Sequence, residues 1–183
     1  MLRLKHLYHG RIWSGVALGV LILAACSPAE PQARPTTAVA PDPGDAVPPH
    51  HPVSGLDVVP LVVARDGERH VFQVEVARTS AQQARGLMFR EAMGQDEGMI
   101  FPRNPPAPAA FWMKNTVIPL DIIFVGPDGR INNIVANAEP YSLDPRLSVG
   151  AAGAVLELNG GRAAELGIRP GDRVEWSDPA RGG

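Results

Sequence analysis

The chain of 183 residues holds a single cysteine, Cys26, and no histidine beyond His70. One cysteine excludes an intramolecular disulfide, so stability must come from packing. With histidine missing from the second half, a Ser-His-Asp or Cys-His arrangement has almost no material there. No phosphate-cradling glycine loop, dinucleotide fingerprint or Cys/His metal cluster is written in the chain, so neither a cofactor nor a metal is expected. Basic residues interleaved with aromatics do not cluster, which argues against nucleic acid as a partner. Lysine is scarce as well, with only Lys5 and Lys114. Any chemistry is left to carboxylates, Lys114, arginines or Tyr141.

What is present at the start is an address. Arg3, Lys5 and Arg11 precede an apolar run over 16–23, and Leu23-Ala24-Ala25-Cys26 places small residues ahead of the cysteine. Residues 1–26 read as a lipoprotein signal peptide, with a run too short to span a bilayer as a helix. In this reading Cys26 becomes the lipidated N-terminus and leaves no thiol nucleophile. Resemblance to bacterial lipoproteins implies several acyl chains, each buried methylene adding about 0.8 kcal/mol, which hold a protein stably on a membrane. Ser27 resembles the outer-membrane sorting pattern. The expected location is therefore the cell envelope, on the periplasmic face of the outer membrane. Losing Arg3, Lys5 and Arg11 with the signal takes the formal charge from −2 to −5.

Residues 27–54 are rich in Pro and Ala and read as a disordered, extended spacer, with His50 and His51 solvated within it. A folded domain is expected over 55–177 and a flexible tail over 178–183. Segments 56–64 and 70–77 flank Asp66-Gly67, a hairpin signal. Ser80 and Gln83 have capping-box spacing, which predicts a helix over 81–89. A strand at 98–101, a proline-rich loop at 102–108, a buried strand at 121–125 and a returning strand at 130–136 follow. A loop to 150, a strand at 154–158, a helix at 162–166 and a last strand through Val174 and Trp176 complete the pattern. The fold class is mainly β: a single jelly-roll, sandwich- or barrel-like domain with two short helices.

Residues 111–125 stand out because apolar runs enclose a polar insert of Lys114, Asn115, Thr116 and Pro119. Lys114, the only lysine left after signal removal, suits a clamp on a carboxylate, phosphate or sugar hydroxyl. It equally suits a buried ion pair with Asp121 or Glu139. Asp121 either orients a ligand or caps backbone before its strand. Trp112 offers a platform on which sugar rings or cations stack, or is core. Arg85 and Arg90 bracket Gly86-Leu87-Met88 and would line an anion pocket or pair at the surface. Met88, Met93, Met99 and Met113 are soft donors, but without His or Cys nearby they read as core fillers.

The ordered series Arg85-Gly86-Leu87-Met88-Phe89-Arg90, Gly98-Met99-Ile100-Phe101, residues 111–121, Glu139-Pro140-Tyr141, Val155-Leu156-Glu157 and Gly171-Asp172 resembles the DUF192 family, over roughly 56–176. The resemblance implies a mainly β, jelly-roll-like domain, often exported. It brings no established activity and carries over no catalytic residue.

The leading expectation is a membrane-anchored binding module for a small polar or anionic, saccharide-like ligand. Its pocket would be built from Trp112, Lys114, Asn115, Asp121, Arg85 and Glu139. The alternatives are a carboxylate-based hydrolase using Asp121 with Glu139 or Glu157, which needs carboxyls about 5 to 9.5 Å apart, and a structural or assembly lipoprotein.

Overall fold

The computed structural model describes residues 50–178; Cys26, the signal around it and most of the proline-rich stretch lie outside the described residues. The elements follow as β1 (Val58–Arg65), β2 (Glu68–Val76), α1 (Ser80–Arg85), β3 (Glu97–Phe111), β4 (Leu120–Val125), β5 (Ile131–Ala138), β6 (Arg146–Asn159), α2 (Arg162–Glu165) and β7 (Arg173–Trp176). All seven strands join one mixed sheet, ordered β5-β4-β6-β3-β2-β1-β7. The mainly β class with two short helices holds. The sheet is not closed into a barrel: the outer strands approach each other at one end, where Arg130 bridges to Arg173.

β1 and β2 pair along their length from Arg65↔Glu68 to Val58↔Glu75. The turn between them puts Asp66 and Gly67 at φ 46° and 93°, the geometry that selects Asp-Gly in a two-residue hairpin loop. β2 then runs parallel to β3, with Val74 opposite Gly98. A parallel pair needs a long crossover, and residues 77–96 supply it with α1 inside. The helix is capped by Thr79 rather than Ser80. Thr79 Oγ1 accepts from the Gln82 amide at 3.2 Å, and Gln82 Oε1 accepts from the Thr79 amide at 2.8 Å. It ends at Gly86, whose φ of 48° and ψ of −137° stop it short of the expected 89.

Two expected loops prove to be strand. β3 continues past Pro102 because its ladder to β6 skips from Pro102↔Ala154 to Ala107↔Ala152. Residues 103–106 bulge out of the pairing, so Pro105 and Pro106 owe the ladder no donor. Likewise 146–150 open β6, where Arg146 pairs with Phe111.

β4 is buried at all six positions. It lies between β5 and β6 and is covered on both faces, hence the apolar run Ile122-Ile123-Phe124-Val125 that follows the buried Asp121. One core packs Leu61, Phe72, Ile100, Ile123 and Leu156 together. The second, on the other face, holds Met99, Phe101, Met113, Leu120, Ile122 and Phe124.

The ordered fold reaches back into the expected spacer, to His50. His50 Nδ1 lies 2.8 Å from Asp57 Oδ1, and His51, expected to be solvated, packs 3.7 Å from buried Glu75. At the opposite end Asp178 binds Arg78 at 2.6 Å from Nη2, while Arg78 Nη1 holds Asp57 at 2.5 Å. One guanidinium thus fastens both ends of the domain.

Candidate functional site

The polar insert forms a turn tied down by its backbone. The Met113 amide donates to Ser142 O at 2.9 Å and the Thr116 amide to Met113 O at 3.1 Å. The Phe89 amide donates to Asn115 O at 2.8 Å, and the Tyr141 amide to Thr116 O at 3.1 Å. Met113 is fully buried and Thr116 nearly so, which roots the turn in the second core. Between these anchors Lys114 is exposed, and its Nζ sits 5.2 Å from the centre of the half-exposed Trp112 ring. Across the turn, the Arg85 guanidinium lies 5.0 Å over exposed Phe89.

A cleft of about 270 Å³ opens between this turn, the end of α1 and the bulge of β3. Arg85, Arg103 and Lys114 line it, and none of the three has an acid in salt-bridge contact among the described residues. Its inner wall is aromatic: Phe111 stands edge-on to Phe101 at 5.1 Å and to Phe124 at 6.2 Å. Glu157 enters from β6. It is 5% exposed and pairs in register with Met99 and Ile122, which leaves apolar flanks. Burial pushes its carboxyl up to about 8, so at neutral pH it is mostly an uncharged O–H donor.

Of the expected pocket residues, Arg85, Trp112 and Lys114 come together. Asn115, Asp121 and Glu139 do not line the cleft. Asn115 takes φ 55°, a conformation that asparagine tolerates, and its Nδ2 turns to Met88 Sδ at 3.8 Å; it serves the turn. Asp121 is completely buried and accepts from the Asn137, Gly161 and Ala163 amides at 2.7, 2.9 and 2.7 Å. It thereby caps α2, whose own N-cap, Gly161, has no side chain to offer. Glu139 is exposed, away from the cleft. Arg90 is spent on a buried ion pair with Glu75 at 2.8 Å, so it forms no anion pocket with Arg85. Neither hydrolase pair faces a common cleft: Asp121 is fully buried while Glu139 is exposed, and Asp121 shares a sheet face with Leu158, whereas Glu157 shares the opposite face with Ile122. Nor does Lys114 bury itself against Asp121 or Glu139; it stays exposed at the cleft.

Two cleft residues lie outside the expected pocket. Arg103 falls in a segment expected to be loop, and only the bulge carries it to the cleft. Glu157 was expected only as a partner of Asp121 in the hydrolase alternative; it shows as a lone acid in the apolar stretch Val155-Leu156-Glu157-Leu158, but its isolation depends on strands far away in sequence. Of the methionines, Met99 and Met113 are core. Among the described residues no three His, Cys, Asp or Glu side chains are grouped to hold a metal ion.

A roomier cleft of about 510 Å³ at the Asp66–Gly67 end gathers Arg65, Arg69, Arg130 and Arg173. Its charges are largely answered within the protein: Arg65 contacts Asp66 and Asp172, and Arg69 and Arg173 both contact Glu175. Among the described residues, the Lys114 cleft combines cations without an acid in salt-bridge contact, aromatic walls and a buried acid.

Comparison with known proteins places this chain in a wider group. A crystal structure of a protein of unknown function from Novosphingobium aromaticivorans DSM 12444 is 63% identical, with a TM-score of 0.70 over 72% of this chain and 94% of that one. A second, from Sinorhizobium meliloti 1021 and designated a candidate transcription regulator, is 38% identical, with a TM-score of 0.65 over 66% of this chain and 95% of that one. No functionally curated protein matches. The family model DUF192, described as "Uncharacterized ACR", matches residues 61–176, which span β1 to β7. With most of the ordered domain matched, the chain belongs to the DUF192 family.

Proposed function

We propose that the protein is a lipid-anchored binding module of the bacterial envelope whose Lys114 cleft takes a small anionic ligand of organic-acid or sugar-acid size. The observation that carries this reading is the convergence of Arg85, Arg103 and Lys114, three cations without an acid in salt-bridge contact among the described residues, on one aromatic-walled cleft. Like charges gathered without counter-charges repel one another, and a bound anion relieves that cost. The volume of about 270 Å³ suits a compact ligand and is small for a nucleotide. Aromatic faces beside the cations suit a ring or a sugar's apolar side. The Sinorhizobium protein's designation concerns that protein; here the sequence lacks a basic stripe, and nucleic acid is not the proposed ligand.

Glucuronate, inorganic phosphate and neutral methyl glucoside, titrated calorimetrically into the full chain carrying Cys26→Ser, test the ligand class. We expect at least one anion to bind and the glucoside not to. Lys114→Met should weaken anion binding about tenfold, the loss of one charge-assisted contact. Absence of anion binding, or equal affinity in the Lys114→Met variant, would overturn the reading.

The anchor rests on Leu23-Ala24-Ala25-Cys26 and on Ser27 after it. Among the described residues no helix is long and apolar enough to cross a membrane. In a bacterial host the unaltered chain should sediment with outer membranes, and the Cys26→Ser chain should leave that fraction. Equal membrane recovery of both would refute the anchor.

A further inference from the structure

How the cleft accommodates a ligand's charge follows from two buried polar groups, and this inference rests on the anion-cleft reading. Glu157 is only 5% exposed, and burial alone raises its carboxyl, with no hydrogen bond or charge from the protein contributing. Its flanking register partners, Met99 and Ile122, have nothing to accept or donate through their side chains. Arg103 supplies the second group. Its Nε is buried without a partner, while its Nη2 reaches only the Pro108 carbonyl at 3.5 Å. Both residues line the same cleft.

Buried donors without acceptors are uncommon in folded proteins, and each one asks for an explanation. A hydroxyl can satisfy one of these two. A head group with two or more acceptor oxygens, a carboxylate or a phosphate monoester, can satisfy both. The charged groups sharing the cleft are Arg85 from α1, Arg103 from β3 and Lys114 from the turn after β3, and no acid other than Glu157 lines it. An anion therefore meets attraction from three sides and opposition only from an ionised Glu157.

We propose that the cleft binds a compact oxyanion head group through the protonated carboxyl of Glu157 and the Nε–H of Arg103, so that ligand binding and protonation of Glu157 are coupled. No covalent bond changes. Glu157 keeps its proton and donates it in a hydrogen bond to a ligand oxygen. Where Glu157 was ionised beforehand, the proton is drawn from solvent on binding. Ionised Glu157 would set a negative charge and a lone pair against the ligand's own, in surroundings where burial strengthens the repulsion. Affinity accordingly follows the protonated fraction of Glu157. With its carboxyl pushed up to about 8, that fraction falls roughly tenfold between pH 7 and pH 9.

The experiment is calorimetric titration of the full Cys26→Ser chain with benzoate, phenyl phosphate and methyl glucoside at pH 7 and pH 9. Cationic amine buffers of different ionisation enthalpy report proton uptake. We expect benzoate or phenyl phosphate to bind about tenfold more weakly at pH 9, with close to one proton taken up per ligand there. Which of the two binds identifies the head group, and either result supports the proposal. Glu157→Gln, whose amide donates but does not titrate, should bind more weakly at pH 7 and show no further fall to pH 9. Its thermal melt, compared with the parent's, establishes that it is folded. Anion binding that depends on Lys114 but stays flat from pH 7 to 9 would overturn proton coupling and leave the anion cleft standing. The same pH response in Glu157→Gln would also overturn it. Binding of methyl glucoside with neither anion would overturn both readings together.

Discussion

Lys114 carries its ammonium to the surface beside Trp112, with no acid in salt-bridge contact among the described residues, so the fold asks little of its charge. Lys114→Met should leave the unfolding free energy within about 0.5 kcal/mol of the parent, as for an exposed substitution. Asp121 is the opposite case. Its carboxylate accepts three backbone amides in a fully buried position, and Asp121→Ala strands those donors where water cannot reach them. Each stranded donor costs about 1 to 3 kcal/mol, so a total loss of at least about 3 kcal/mol is expected. Urea unfolding of both variants checks the contrast. A loss above about 3 kcal/mol in Lys114→Met would mean that its charge is architectural, against the anion-cleft reading. In the sequence these two residues look alike, polar insertions near an apolar run. What separates them is the covering of the Asp121 side by α2, whose residues lie forty positions onward and leave no trace around Asp121 itself.

Elements whose partners are close in sequence were the legible ones. The β1–β2 hairpin needs only Asp66-Gly67 and alternation on either side, and β4 needs only the apolar run from Ile122 to Val125. The lengths of β3 and β6 escaped the reading because proline normally ends a ladder. The bulge at 103–106 removes that objection, yet the two strands must meet before it exists. Three members of the expected site, Arg85, Trp112 and Lys114, survived, because each lies beside a local turn that aims it. The end of α1 shows how such a turn works. Gly86 closes the helix at φ 48° and ψ −137°, a region that side chains avoid, and this turns the chain so that Arg85 and Met88 both reach the cleft. A Cβ there would lie 3.4 Å from the Phe101 ring, so space is adequate and the penalty is one of backbone. Gly86→Ala should cost about 1 to 3 kcal/mol in urea unfolding, the usual size for a strained conformation. A cost near zero would mean that the turn relaxes into another geometry, and the cleft wall would then have to be redrawn.

For the molecule as a whole, the sheet's two covered faces create the cost that Glu157 bears. Were β6 exposed on one side, its carboxyl would ionise in water at the ordinary value. Covered by the second core, it is pushed up to about 8 from 4.5 with desolvation as the cause, whereas the unfolded chain releases that proton in the ordinary carboxylate range. Between those two values the folded state holds a proton that the unfolded state has lost. The stability that Glu157 contributes must therefore fall as pH rises from about 4.5 to about 8, and that contribution levels off beyond, because both states are then ionised. The full span corresponds to a loss on the order of 3 to 5 kcal/mol. Glu157→Gln has no proton to lose, so its stability relative to the parent should improve by that amount between pH 4 and pH 9. Taking this difference cancels the titrations that the two chains share. Denaturant unfolding of both chains at a series of pH values measures it. A constant difference across the series would mean that Glu157 is solvated or paired in solution, and the buried acid on which the cleft's proton coupling depends would be absent.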